Sequence, residues 1–225
     1  MAAPAEARAV LSATGANPAM ADHPWFEHSL SLRLSLVVTG IGKANAAGAV
    51  ARVFDPGVHA GVLSLGVAGA LPGTGLTPGN VIAASESVYA DEGLESPGGF
   101  TQCAALGFAL GPPPIAGPAI PAHPALLDAL TPLADAVGPI ATVSTCAGTG
   151  ARARAVRART GALAEAMEGA AALQAAVRVG GAGPLRGELR VISNTTGDRA
   201  AQRWDLAAAL ARLEAVARSL RELVG

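Results

Sequence analysis

Short apolar runs alternate with helix-patterned segments along this chain, and that alternation leaves few folds open. Leu32–Val38, Val62–Leu65, Val81–Ala84, Ile140–Val143 and Leu189–Ile192 predict strands. Lys43–Val53, Pro124–Ala136, Gly161–Val177 and Ala200–Leu223 predict helices. Strands that alternate with helices argue for an α/β sheet covered by helices. The last helix is the clearest. Leu206, Leu210, Leu213, Ala217, Leu220 and Val224 make one apolar stripe, and Arg212, Glu214, Arg218 and Glu222 take other faces. No internal repeat and no linker interrupts the pattern, so residues 1–225 read as one domain.

The core must be aliphatic, because hydrophobic residues make up 51% of the chain and aromatics only 3%. A formal net charge of −1 excludes the basic footprint of a nucleic-acid binder. Two cysteines, Cys103 and Cys146, cannot form a disulfide framework, and no His or Cys cluster has zinc-ligand spacing. The opening MAAPAEARAV lacks the basic and apolar regions of a signal peptide, and no apolar run reaches the roughly 18 residues of a membrane span. A cytoplasmic protein without membrane contact is the expectation.

Ser96–His123 breaks the pattern. It holds Gly98-Gly99, the run Pro112-Pro113-Pro114 and prolines 118 and 121, with Pro124 just after it. Proline disfavours helix and sheet, so a long irregular connection is expected, either a mobile surface loop or a wall of a substrate pocket.

Four constellations could carry chemistry. In AEAMEGAAAL, a helical Glu168 would have Ala164, Ala171, Ala172 and Ala175 as neighbours. Such a glutamate points to water or sits in a recess, and water is the plainer expectation. Val191–Asp198 is an apolar strand that ends in Ser193, Asn194, Thr195 and Thr196. Ligands of α/β sheets bind at such strand ends, although a simple turn with a helix cap reads the same way. Gly40-Ile41-Gly42 and Gly66-Val67-Ala68-Gly69 read as glycine loops after strands, whose N–H groups could meet an oxyanion or a base edge, although plain tight turns are the simpler expectation. Tyr89-Ala90-Asp91-Glu92 holds two carboxylates that point apart on an extended chain, so a solvated turn is expected.

Taken in order, TGIGKANAA, LSLGVAGAL, NVIAASE, AMEGAA and VISNTTGD resemble the nucleoside phosphorylase and nucleosidase superfamily. YADEGLESPGGF and the pairing of AMEGAA with ISN resemble its futalosine hydrolase family most, with the methylthioadenosine/S-adenosylhomocysteine nucleosidases next. The resemblance covers nearly the whole chain. It implies a three-layer α/β/α fold around a central mixed, twisted sheet, and a homo-oligomer. The reaction it implies is hydrolysis of the N-glycosidic bond of futalosine, releasing hypoxanthine in menaquinone biosynthesis, with no metal or organic cofactor. A methylthioadenosine/S-adenosylhomocysteine nucleosidase, a phosphorylase, or a nucleoside-binding relative without activity are the alternatives.

The resemblance also assigns residues. Glu168 matches the glutamate that holds the ribose hydroxyls, and Met167 the residue packed on the sugar. Ser193 and Asn194 match the pair at the purine edge, with Ala68 and Gly69 on the base-binding glycine segment. Glu6 matches the glutamate that activates water. Adenine-cleaving relatives carry Asp at the position of Asn194. An asparagine amide can donate to O6 of a 6-oxopurine and accept from a protonated N7, whereas a carboxylate would face the O6 lone pairs without a donor. Phosphorylases carry an arginine ahead of the glycine segment, where this chain has Leu63-Ser64-Leu65. That difference favours water over phosphate as acceptor. Only Met1–Ala5 precede Glu6, so the strand that opens other members is missing or begins upstream, and Glu6 is expected to be poorly held. Arg199 and Arg203 are candidates for a carboxylate on the 5′ substituent of the substrate, by proximity to Asn194.

Overall fold

The computed structural model describes residues 1–111 and 115–224, with the side chain of Val224 left out. Pro112-Pro113-Pro114 therefore lies outside the described residues.

The helices are α1 (Pro4–Thr14), α2 (Lys43–Val53), α3 (Pro124–Leu130), α4 (Gly150–Thr160), α5 (Gly169–Gly180) and α6 (Leu206–Val224). The strands are β1 (Glu27–Ser29), β2 (Ser35–Val37), β3 (Gly61–Ala70), β4 (Val81–Tyr89), β5 (Gly93–Ser96), β6 (Gly99–Gln102), β7 (Ala119–Pro121), β8 (Ala136–Thr142), β9 (Ala164–Ala166) and β10 (Leu185–Thr195).

A mixed sheet in the order β10-β3-β9-β8-β4-β7 forms the centre, and β10 also pairs with β4, which curls the sheet back on itself. The β10–β3, β4–β8 and β8–β9 pairs are parallel, while β3–β9 and β4–β7 are antiparallel. One face packs on α1 and α6 through Val10, Leu11, Leu65, Val191 and Leu213. The other packs on α2 and α5 through Val50, Phe54, Leu173 and Val177. The fold is thus the expected α/β/α sandwich, and small side chains fill its middle: Ala68, Ala70, Ala84, Ala164 and Ala166 pack with Ile82, Ile140 and Ile192.

Several predicted elements move. The helix expected over Gly161–Val177 is two elements, the three-residue β9 and then α5. Alanine's helix propensity hides a strand this short inside an alanine-rich run. The arginine-rich α4 had no apolar stripe to announce it, and it buries only Ala153 and Val156. Gly66–Gly69 lies inside β3, which runs to Ala70. Leu32 is fully exposed, and the predicted strand there shrinks to Ser35–Val37.

The described parts of the proline-rich connection carry regular structure. It holds the β5–β6 hairpin and the edge strand β7, and Ile115 and Ile120 are fully buried against α5.

The start of the chain is pinned as well. The carbonyls of Met1 and Ala2 accept hydrogen bonds from the N–H groups of Thr39 and Gly40. Ala7, Val10 and Leu11 then bury one face of α1.

Candidate active site

The ends of β3, β9 and β10 and the starts of α1, α2 and α5 bring the candidate residues together beside Gly66 and Gly69 of β3. Glu6 stands in the first turn of α1 and is only 5% exposed. One of its carboxylate oxygens accepts the Ala3 N–H at 3.0 Å, the glutamate half of a capping box. The other accepts the Val67 N–H at 2.8 Å. Glu6 is therefore firmly held, contrary to expectation. The helix start and the edge of β3 do the work that a preceding strand was expected to do.

Glu168 is not on a helix face. It is the residue before α5, two positions past the end of β9, and it is buried. The Gly42 N–H, at the start of α2, donates to its Oε1 at 3.0 Å. The glycine turn before α2 thus meets an oxyanion rather than being a plain tight turn, and that oxyanion belongs to the protein.

Sequence reasoning missed the centre of this cluster. Arg190 on β10 is 1% exposed and lies opposite Gly66. Its Nε donates to Glu188 at 2.8 Å and its Nη2 to Ser64 Oγ at 2.9 Å, and Nη2 lies 3.4 Å from Glu168. Glu188 is fully buried and also accepts from Ser87 Oγ. Burial works against the charge on Arg190, but Glu188, Glu168 and Glu6 outweigh it and raise its pKa. A Cβ on Gly66 would stand 2.7 Å from both Arg190 Nη1 and Glu6 Oε1, so only glycine lets the two meet there.

This arginine corrects one inference. No cation precedes the glycine segment in sequence, but Arg190 brings one to the same place from the neighbouring strand. It is already surrounded by three carboxylates, so the local charge still opposes an incoming phosphate.

At the other end of the cleft, Asn194 lies opposite Gly69 in the register of β10 and β3, just past a bulge. A Cβ on Gly69 would stand 3.1 Å from Asn194 Nδ2 and 2.7 Å from Thr196 Cγ2, so the missing side chain makes room for the amide. Ser193 Oγ donates to Asn194 Oδ1 at 2.9 Å, and Asn194 Nδ2 donates to the Thr195 carbonyl at 3.0 Å. Ser193 Oγ also lies 3.3 Å from the Ala68 carbonyl, while the Ala68 methyl faces the sheet core. Met167 packs at the edge of the cluster formed by α4 and the end of β8.

The remaining candidates fall elsewhere or pair off. Asp91 and Glu92 both grip Lys43, so that turn is a built ion cluster beside the start of α2. Arg199 stacks on Trp204 and donates to Gln202, on the far side of Asn194 from Glu168 in chain order. Cys103 and Cys146 are free thiols. Among the described residues no group of His, Cys, Asp and Glu could hold a metal ion, and no helix is long and apolar enough to cross a membrane.

A buried carboxylate–guanidinium cluster, an amide at a strand end and a glycine-bearing strand between them thus lie together on the sheet of an α/β/α fold. The sequence model of the phosphorylase superfamily matches residues 5–225. The futalosine hydrolase of Acidothermus cellulolyticus is 38% identical over 222 residues, which cover 93% of this chain and 84% of that protein. The futalosine hydrolase of Streptomyces coelicolor is 34% identical, over 83% of this chain and 77% of its own length. Among solved structures, the methylthioadenosine/S-adenosylhomocysteine nucleosidase of Helicobacter pylori superposes with a TM-score of 0.73 at 20% identity, over 99% of this chain and 94% of that one. The chain belongs to the phosphorylase superfamily and, within it, to the futalosine hydrolase family.

Proposed function

We propose that this protein hydrolyses the N-glycosidic bond of futalosine, releasing hypoxanthine, as a step of menaquinone biosynthesis. The observation that carries the reading is the hydrogen-bonding capacity left on Asn194. Its amide nitrogen has two hydrogens, and Thr195 takes one. Its oxygen has two lone pairs, and Ser193 takes one. One donor and one acceptor remain, which suit the O6 and the protonated N7 of a departing 6-oxopurine.

The bond breaks as positive charge builds on the ribosyl ring. Glu168 holds the 2′- and 3′-hydroxyls and places negative charge near that ring. Met167 packs on the sugar. Glu6 takes the proton from the attacking water, a role worth about 10²–10⁴ in rate. Arg190 fixes Glu168 and, with Glu6, flanks Gly66. Asn194, oriented by Ser193, stabilises the leaving base above Gly69 and Ala68. The site residues fit this chemistry without a metal or an organic cofactor. The reading includes a homo-oligomeric cytoplasmic protein. Exposed Leu94 and Phe108, on the segment after β4, support an interface.

The test is base release from futalosine, with methylthioadenosine and inosine alongside, with and without phosphate. The wild type should release hypoxanthine from futalosine independently of phosphate. Asn194→Asp should lose most of that activity and gain on the 6-amino counterpart. Adenine release from methylthioadenosine by the wild type, or dependence on phosphate, would contradict the reading.

A further inference from the structure

One buried polar atom near the base-reading end has no use in the chemistry above. Glu165 on β9 is 4% exposed, and its Oε1 accepts the Ala147 N–H at 2.7 Å. Its Oε2 is buried with no hydrogen-bond partner among the described residues. Leaving a buried carboxylate oxygen unpaired is costly, so its persistence calls for an external partner.

The register of the sheet says where that oxygen stands. Gly69 pairs with Asn194 on one side and with Glu165 on the other. Directly paired residues put their side chains on the same face. The Cβ direction at Gly69 runs toward the Asn194 amide, so Asn194 and Glu165 rise from one face with a glycine gap between them. Adjacent strands lie about 4.8 Å apart, so the two backbones are separated by roughly 10 Å, room for a planar base set edge-on over Gly69. Ala147, which holds Glu165, walls the same space. Its carbonyl accepts from Gln202 Nε2, and from the Gly197 N–H on the loop that follows Asn194.

We infer that Glu165 is a second base-reading residue, whose unpartnered oxygen accepts the N1–H of a 6-oxopurine while Asn194 reads O6 and N7. The inference rests on the proposed function for the identity of the base. A 6-oxopurine carries a hydrogen on N1, whereas N1 of adenine is an acceptor. An ionised carboxylate therefore matches the first base and opposes the second. Binding of the 6-oxopurine supplies the donor that the empty site lacks. Burial raises the pKa of Glu165 in the empty site, with the Ala147 N–H and then Arg152 pulling it down, and an N1–H donated to the free oxygen would stabilise the ionised form and lower that pKa on binding.

The test reads affinity for free hypoxanthine, 1-methylhypoxanthine and adenine by calorimetry, for the wild type and Glu165→Gln, with thermal melts as a folding control. In the variant, the amide oxygen takes over the Ala147 N–H and its NH₂ points at N1. Hypoxanthine should bind 10- to 100-fold more weakly to it, and adenine more tightly, so the preference moves toward adenine. On the wild type, 1-methylhypoxanthine should bind at least 10-fold more weakly than hypoxanthine, a measurement that needs no variant. An unchanged preference in a folded Glu165→Gln, or equal wild-type affinity for hypoxanthine and its 1-methyl form, would overturn the inference. Wild-type protein that prefers hypoxanthine yet fails to cleave futalosine would sink the proposed reaction and leave this inference standing.

Discussion

Around Arg190 every buried carboxylate faces a cation or an N–H or O–H donor, whereas around Asn194 hydrogen-bonding capacity is left over. Glu6 has two backbone donors, Glu168 has Gly42 and Arg190, and Glu188 has Ser87 and Arg190. Asn194 keeps one donor and one acceptor free, and Glu165 keeps a whole oxygen free. The two ends serve different purposes. Charge that must be ready when the glycosidic bond breaks is fixed in advance by the fold, which costs no reorganisation during the reaction. Groups that choose among bases stay unsatisfied until the right base arrives, because an unpaired buried group is what rejects the wrong one.

The comparison can be broken most forcefully at Arg190. Arg190→Met leaves Glu188 buried without its cation, and removing one partner of a buried pair costs about 3–5 kcal/mol. Denaturant unfolding should show a loss of that size together with loss of turnover. A stability close to wild type would mean that the ion cluster is not the rigid half of the site.

A smaller effect sharpens the other end. Burial raises the pKa of Glu165 in the folded chain above its unfolded value. Its favourable contribution is therefore present at low pH and is lost as pH rises through the folded value. The melting temperature of Glu165→Gln relative to wild type should accordingly rise by a few degrees as pH increases through that range, with the base absent. Saturating hypoxanthine should narrow the gap by stabilising the wild type preferentially. A gap that does not depend on pH would show that Glu165 has a partner in the empty site.

The sequence displayed one half of this site better than the other. Asn194 and Ser193 end an apolar strand, and Gly66 and Gly69 punctuate another, so the base edge could be read from order and residue type. α2 was legible to the residue because a glycine turn precedes it and alanines fill it. Arg190 and Glu188 were not, since both interrupt an apolar run at the two-residue spacing that usually marks a solvated strand face. β10 is buried along nearly its whole length, so its charges pair with one another and with neighbouring elements rather than with water. The face taken by Glu165 follows from the same two-residue rule, but that rule applies only once β9 is known to be a strand. The water-side glutamate was found by resemblance. Its rigidity was hidden because two backbone N–H groups hold it, and no side-chain pattern records those.

Glu6→Gln offers the most direct check on the central claim, that water is activated at the charged end and the base is read at the other. Turnover of futalosine and affinity for free hypoxanthine would be measured on the same preparation. The account predicts a fall in kcat of about 10²–10⁴ with hypoxanthine affinity unchanged. Turnover within a few-fold of wild type, or loss of hypoxanthine affinity along with turnover in a folded variant, would contradict it.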